Sequence, residues 1–132
     1  MDLLATVPSN LVQSIRAFRV QDLQAEANKL GQHFLYAYCL EAATKQQVVG
    51  KIALSFGFPK PMCRNLDALS DCLTDMIYKA GPQPGFLIVL EQLPNTQKFD
   101  KEARETLLDV FRDAADFWAD RKVAFRVFYS FE

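Results

Sequence analysis

Apolar residues along the chain switch between a period of two and a period near 3.6, and the switches mark out the elements. Residues 15–20 alternate as a short strand. Asp22 is placed to cap a helix through Leu30, with Leu23, Ala27 and Leu30 on one side and Gly31 as its stop. Residues 33–40 form an aromatic-rich second strand. After it, Thr44 and Gln47 have the spacing of a capping box and open a helix toward Phe56, whose core face is Val48, Val49, Ile52, Ala53 and Phe56. Gly57, Pro59 and Pro61 end that helix, because proline lacks the N–H a helix needs and drives its predecessor out of the helical region.

Asn65 offers another N-cap, and Leu66, Leu69, Leu73 and Met76 or Ile77 follow at the spacing of one buried stripe, which predicts a helix to about residue 79. Gly81, Pro82 and Pro84 break the chain before the apolar run of residues 86–90, FLIVL, the signature of a strand covered on both faces. From Asp100 to Asp120 the pattern is helical, with Leu107, Leu108, Phe111, Ala114, Ala115 and Trp118 inward, and residues 124–131 close the chain as a strand. Strands alternating with about four helices predict an α/β fold with a small, mainly parallel sheet.

At 132 residues, half of them hydrophobic, the chain fits one domain spanning residues 1–132. No stretch approaches the roughly 20 apolar residues that span a bilayer, and the first ten residues lack the basic start of a leader, so the expected location is the cytoplasm. Cys39, Cys63 and Cys72 are odd in number and lack metal-binding spacing, which argues for reduced thiols rather than a disulfide framework or zinc site. Cys72 lies near the leucine stripe as a packing group, while Cys63, in a loop, is expected to be the more exposed and oxidisable. His33, the only histidine, starts a strand and has no catalytic partner, so no enzyme activity and no cofactor are expected.

Net charge, only −1, gives no general attraction to nucleic acid or anionic membranes. Its distribution changes that picture. Residues 1–64 hold 7 basic and 4 acidic side chains, residues 65–120 hold 5 and 11, and the last 12 residues hold 3 and 1. Opposite the leucine stripe stand Asp67, Ser70, Asp71, Thr74 and Asp75, with Asp67, Asp71 and Asp75 four apart. On the last helix Glu105, Asp109 and Asp113 repeat that spacing, continued by Asp116 and Asp120. Each like-charge pair costs about 0.2–0.5 kcal/mol. One such row reads as a solvated face, but two in a small chain point to a basic partner that supplies the counter-charge, with carboxylates accepting from arginine as phosphate does. Asp67 and Asp71 would also suit Mg²⁺ given a third ligand, but no further ligand cluster accompanies them, so no metal is expected.

The run Asn65-Leu66-Asp67-Ala68-Leu69-Ser70-Asp71-Cys72-Leu73-Thr74, preceded by Phe58-Pro59, resembles the inhibitory loop and helix of the barstar family of ribonuclease inhibitors. Residues 87–91 (LIVLE) resemble the family's central strand and residues 107–114 (LLDVFRDA) its last long helix, so the similarity covers about residues 34–131. The resemblance implies a three-stranded parallel sheet packed with helices, and insertion of the acidic helix into a ribonuclease active site as a 1:1 complex of a monomer. By position, Asp71 resembles the carboxylate that occupies a phosphate subsite. Asn65, Leu66, Asp67, Ala68 and Thr74 fall at contact positions, flanked here by Ser70 and Asp75, and Asp113 matches an acid on the last helix that faces the same partner.

The departures from the family pattern are specific. Pro61 and Met62 stand where the family has aromatic side chains, Ser70 replaces a tryptophan, Asp75 a small residue, and Phe117 a second acid. Asp116 is one residue earlier, rotated by about 100° around the helix. The implied partner is therefore a cognate ribonuclease or other basic nuclease toxin different from barnase, with an interaction module for a non-nuclease partner as the alternative. Residues 1–33 lie outside the resemblance and are expected to add a βα unit with a fourth strand at a sheet edge.

Overall fold

The computed structural model describes residues 3–4, 7–58, 63–76 and 84–132. Among the described residues four strands and four helices follow in the order β1 (Asn10–Ser14), α1 (Val20–Leu30), β2 (His33–Tyr38), α2 (Lys45–Ser55), α3 (Leu66–Asp71) running into a π-helical turn (Cys72–Met76), β3 (Phe86–Leu93), α4 (Lys101–Asp120) and β4 (Phe125–Phe131). The strands form one sheet in the order β1-β4-β3-β2, and every neighbouring pair is parallel. The expected fourth strand is present and lies at the edge beside β4.

Strand alternation sends successive side chains to opposite faces, and each face is covered. On one, Phe86, Ile88, Leu90, Phe125 and Val127 pack with α2, α3 and α4. On the other, Leu87, Val89 and Phe128 pack with Leu23 and Ala27 of α1 and with Leu4. The FLIVL run is buried from end to end because it lies in a central strand between two helical layers. It continues to Leu93 through a bulge, where Gln92 takes a positive φ of 59° and its N–H is met by Ser130 Oγ at 2.9 Å.

The first strand differs from its sequence expectation. It occupies Asn10–Ser14 rather than residues 15–20, which turn at Arg16 (φ 44°) into α1. Ile15, Phe18 and Val20 are apolar because they pack against the α1 face of the sheet, with the Phe18 ring edge-on to Phe128. Nor does Asp22 cap α1. Arg19 is the N-cap residue without a side-chain cap, and Asp22 sits in the first turn, 3.1 Å from the Arg19 guanidinium. Gly31 ends the helix as expected, at φ 69°, where a side chain would be strained. From the strand edge, Asn10 Nδ2 donates to the carbonyls of Ala115 and Val123 (3.0 and 2.9 Å), tying β1 to the C-terminal end of α4.

The caps that the spacing predicts on α2 and α3 are formed, and α4 has one as well. Thr44 Oγ1 accepts from Gln47 N at 3.1 Å, while the Gln47 side chain reaches back to Ala43 N at 2.8 Å. Thr44→Ala is expected to lower stability by about 1 kcal/mol, read as a lower urea midpoint with an unchanged slope. Asp100 Oδ1 caps α4 by accepting from Ala103 N at 2.9 Å. Every core position assigned to α2 and α4 from periodicity is buried.

Candidate functional site

The acidic segment begins at Asn65, which is extended (φ −142°, ψ 175°) and whose Oδ1 accepts from Ala68 N at 2.8 Å. This cap starts α3 and fixes which way its faces point. Leu69 and Leu73 are wholly buried against the sheet layer, and Leu66 is half-buried beside them. The opposite face is left to solvent: Asp67 and Asp71 are exposed, and Ala68, Ser70 and Thr74 are half-buried.

A straight α-helix to residue 79 is not what forms. The α-helical ladder stops at Asp71 and widens into the π turn, and two side chains compete for its carbonyls. Thr74 Oγ1 donates to Ser70 O (3.2 Å) and Asp71 O (3.4 Å), a back-bonding mode that bends helices. Trp118 Nε1, buried on α4, donates to Leu73 O at 3.0 Å. A single indole thereby pins the segment to the last helix. Asp75 lies in the π turn by its backbone, whereas Pro61, Met62, Ile77, Lys79, Gly81 and Pro82 fall outside the described residues.

The expectation for the cysteines is overturned. Cys63 is not an exposed loop thiol but is buried, and it forms a disulfide with Cys72 across a Cα–Cα distance of 6.3 Å. Sequence reasoning judged the cysteines by metal and framework spacing. The signal it passed over is that Cys63 and Cys72 stand on either side of residues 64–71, the first two turns of the acidic motif. Cys39 is the free cysteine among the described residues; it is buried, and burial pushes its thiol up to about 11 against an opposing pull from Lys51.

On α4, which packs directly against α3 and the π turn, the acids divide into two groups. Arg112 bonds Asp109 at 2.7 Å and approaches Glu105 at 3.6 Å, and the bond to Asp109 raises its guanidinium above the ordinary value. Asp113 and Asp116, both exposed, have no counter-ion among the described residues, and neither do Asp67 and Asp71. The structure thus puts the predicted residues on two adjoining helices, α3 with its π turn and α4, where Asp67, Asp71, Asp113 and Asp116 have no counter-ion among the described residues. Phe117, at the position of the missing acid, lies beneath the Arg121 guanidinium, 3.5 Å from its ring centre.

A groove of about 380 Å³ beside the N-cap is lined by Lys45, Gln46, Val49, Arg64, Asn65 and Leu66, so the acidic face has a basic margin on its α2 side. His33 is exposed and stacks on Phe86 at 5.5 Å, in keeping with a structural role. Among the described residues, no three His, Cys, Asp or Glu side chains cluster to hold a metal, and no helix is long and apolar enough to cross a membrane. What the arrangement can do is accept hydrogen bonds: carboxylates on a capped, anchored helix present the acceptors that arginine forks engage two at a time.

The family model described as Barstar (barnase inhibitor) matches residues 32–130, well over half the chain, and this span contains the whole acidic site. No curated protein matches the chain.

Proposed function

The chain belongs to the barstar family, and from that premise we propose that it is an intracellular inhibitor of a ribonuclease, filling the enzyme's basic active site with α3 as a carboxylate substitute for RNA phosphate. The observation that carries the reading is the pair Asp67 and Asp71, exposed on one face of a capped helix with no counter-ion among the described residues. A partner cleft built to hold phosphate supplies what this face lacks. In this reading Asp71 takes the central phosphate position, Asn65, Leu66, Asp67, Ala68, Ser70, Thr74 and Asp75 surround it, and Asp113 and Asp116 on α4 meet the rim of the same cleft. The protein acts as a monomer in the cytoplasm, binds one ribonuclease per chain, and has no catalytic residue, cofactor or metal of its own.

The target is a ribonuclease or related basic toxin other than barnase. Ser70 stands where the family has a large aromatic, and Phe117, stacked beneath Arg121, stands where the family has an acid. Both changes alter the rim while the centre is kept.

The test is an inhibition assay against a panel of purified ribonucleases, with association rates followed as salt is raised for any that the chain inhibits. Opposite charges screened over a Debye length of about 10 Å at 0.1 M salt steer the encounter. The association rate is expected to fall by about tenfold or more between low salt and ~0.5 M. A rate indifferent to salt, or a partner without a nucleic-acid site, would count against the reading.

A further inference from the structure

The segment that meets the partner is closed into a ring. Cys63 and Cys72 are bonded nine positions apart, so residues 64–71, which include Asn65, Asp67 and Asp71, all lie between the two sulfurs. Both cysteines are buried, at 0% and 2% exposure, in a small cluster with Ala53 of α2 and Phe58. The bond therefore joins the chain on either side of α3, and the packing against Ala53 seats that link on the neighbouring helix. α3 is only six residues long, far below the roughly 12–15 at which a helix begins to hold itself in water. Its geometry depends on outside supports: the Asn65 cap, the buried Leu69 and Leu73, the Trp118 bond to Leu73, and this ring.

The third thiol does not compete for the pair. Cys39 is sealed at the end of β2 and remains protonated at neutral pH, which makes it a poor nucleophile for disulfide exchange.

We propose that Cys63 and Cys72 form a redox staple that sets the affinity of the acidic face. Closed, the staple holds α3 in the geometry a partner reads; open, it lets the helix fray. The inference rests on α3 being the partner-binding element. Opening consumes two electrons and two protons from a dithiol reductant: one of its thiolates attacks a sulfur of the pair to give a mixed disulfide, and its second thiol displaces the remaining cysteine. Two cysteine thiols and an oxidised reductant result. Closing is the reverse exchange with a low-molecular-weight disulfide such as oxidised glutathione, which leaves as two thiols.

The experiment uses the intact chain, oxidised with glutathione disulfide or reduced with dithiothreitol, so no substitution is needed for folding to be preserved. Thiol titration after unfolding should find one thiol in the oxidised form and three in the reduced form. Amide hydrogen exchange should be at least tenfold faster for residues 66–74 on reduction, with β3 and the buried turns of α4 unchanged. Cys63→Ala should exchange like the reduced chain and ignore the reductant. On a purified ribonuclease that the chain inhibits, the reduced form should dissociate about tenfold faster, equivalent to about 1.4 kcal/mol. Three thiols in the oxidised sample, equal exchange in both states, or equal dissociation rates would each overturn the staple. If exchange responds as expected and neither form inhibits any ribonuclease tested, the inhibitor reading falls while the staple stands.

Discussion

Asp71→Ala is expected to weaken binding to the inhibited ribonuclease by at least ~30-fold, corresponding to a loss of about 2–5 kcal/mol, measured as inhibition constants with matched salt. Asp71 is the last residue of α3 and adjoins the stapled Cys72, so its carboxylate is presented from a fixed point. It has no counter-ion among the described residues and is exposed, so truncation takes no internal bond from the free protein. Stability should therefore stay within about 0.5 kcal/mol. The loss appears on binding, where cations arranged to grip a phosphate would be left desolvated and unpaired. Asp67→Ala, one turn earlier, should cost less. An Asp71→Ala variant that inhibits as well as the parent would remove α3 from the interface.

Trp118→Ala should produce the largest loss of stability, about 3–5 kcal/mol, a large part of the roughly 5–15 kcal/mol that holds a domain folded. The indole is 1% exposed and packs against Phe86 and Phe117. It also donates to Leu73 O in the π turn. Trp118→Phe separates the two roles, since it keeps an aromatic ring and leaves the Leu73 carbonyl unpaired at a cost of about 1–3 kcal/mol. Urea unfolding reads both variants. A midpoint for Trp118→Phe equal to that of the parent would show that the indole bond contributes nothing.

Where one physical effect dominates, the sequence reports the structure faithfully. FLIVL reads as a buried central strand because both faces are covered, and Thr44 and Asn65 read as caps because few residue types can bond the first free N–H groups of a helix. β1 is hidden for the opposite reason. It is an edge strand with every residue half-buried, so Asn, Gln and Ser are tolerated in it, while the stronger apolar signal belongs to the turn residues Ile15 and Phe18. In the acidic site, the cap, the leucine stripe and the exposed acids were legible. The π turn and the disulfide were not, because they depend on contacts from elsewhere in the chain: Trp118, 45 residues from Leu73, and Cys63 folded in beneath α2.

The edge position of β1 also bears on how the protein behaves in a crowded solution. β1 satisfies the outer backbone of β4 along residues 125–129, with Phe125 N donating to Ser9 O and Ile15 N to Tyr129 O. Without it, an unpaired run of N–H and C=O groups would lie beside the apolar Leu87, Val89 and Phe128, a ready template for another chain to zip onto. The N-terminal unit thus moves the free edge of the sheet from the apolar-flanked β4 to a strand of only five residues, NLVQS, most of them polar, and short polar edges are poorer templates for a second chain.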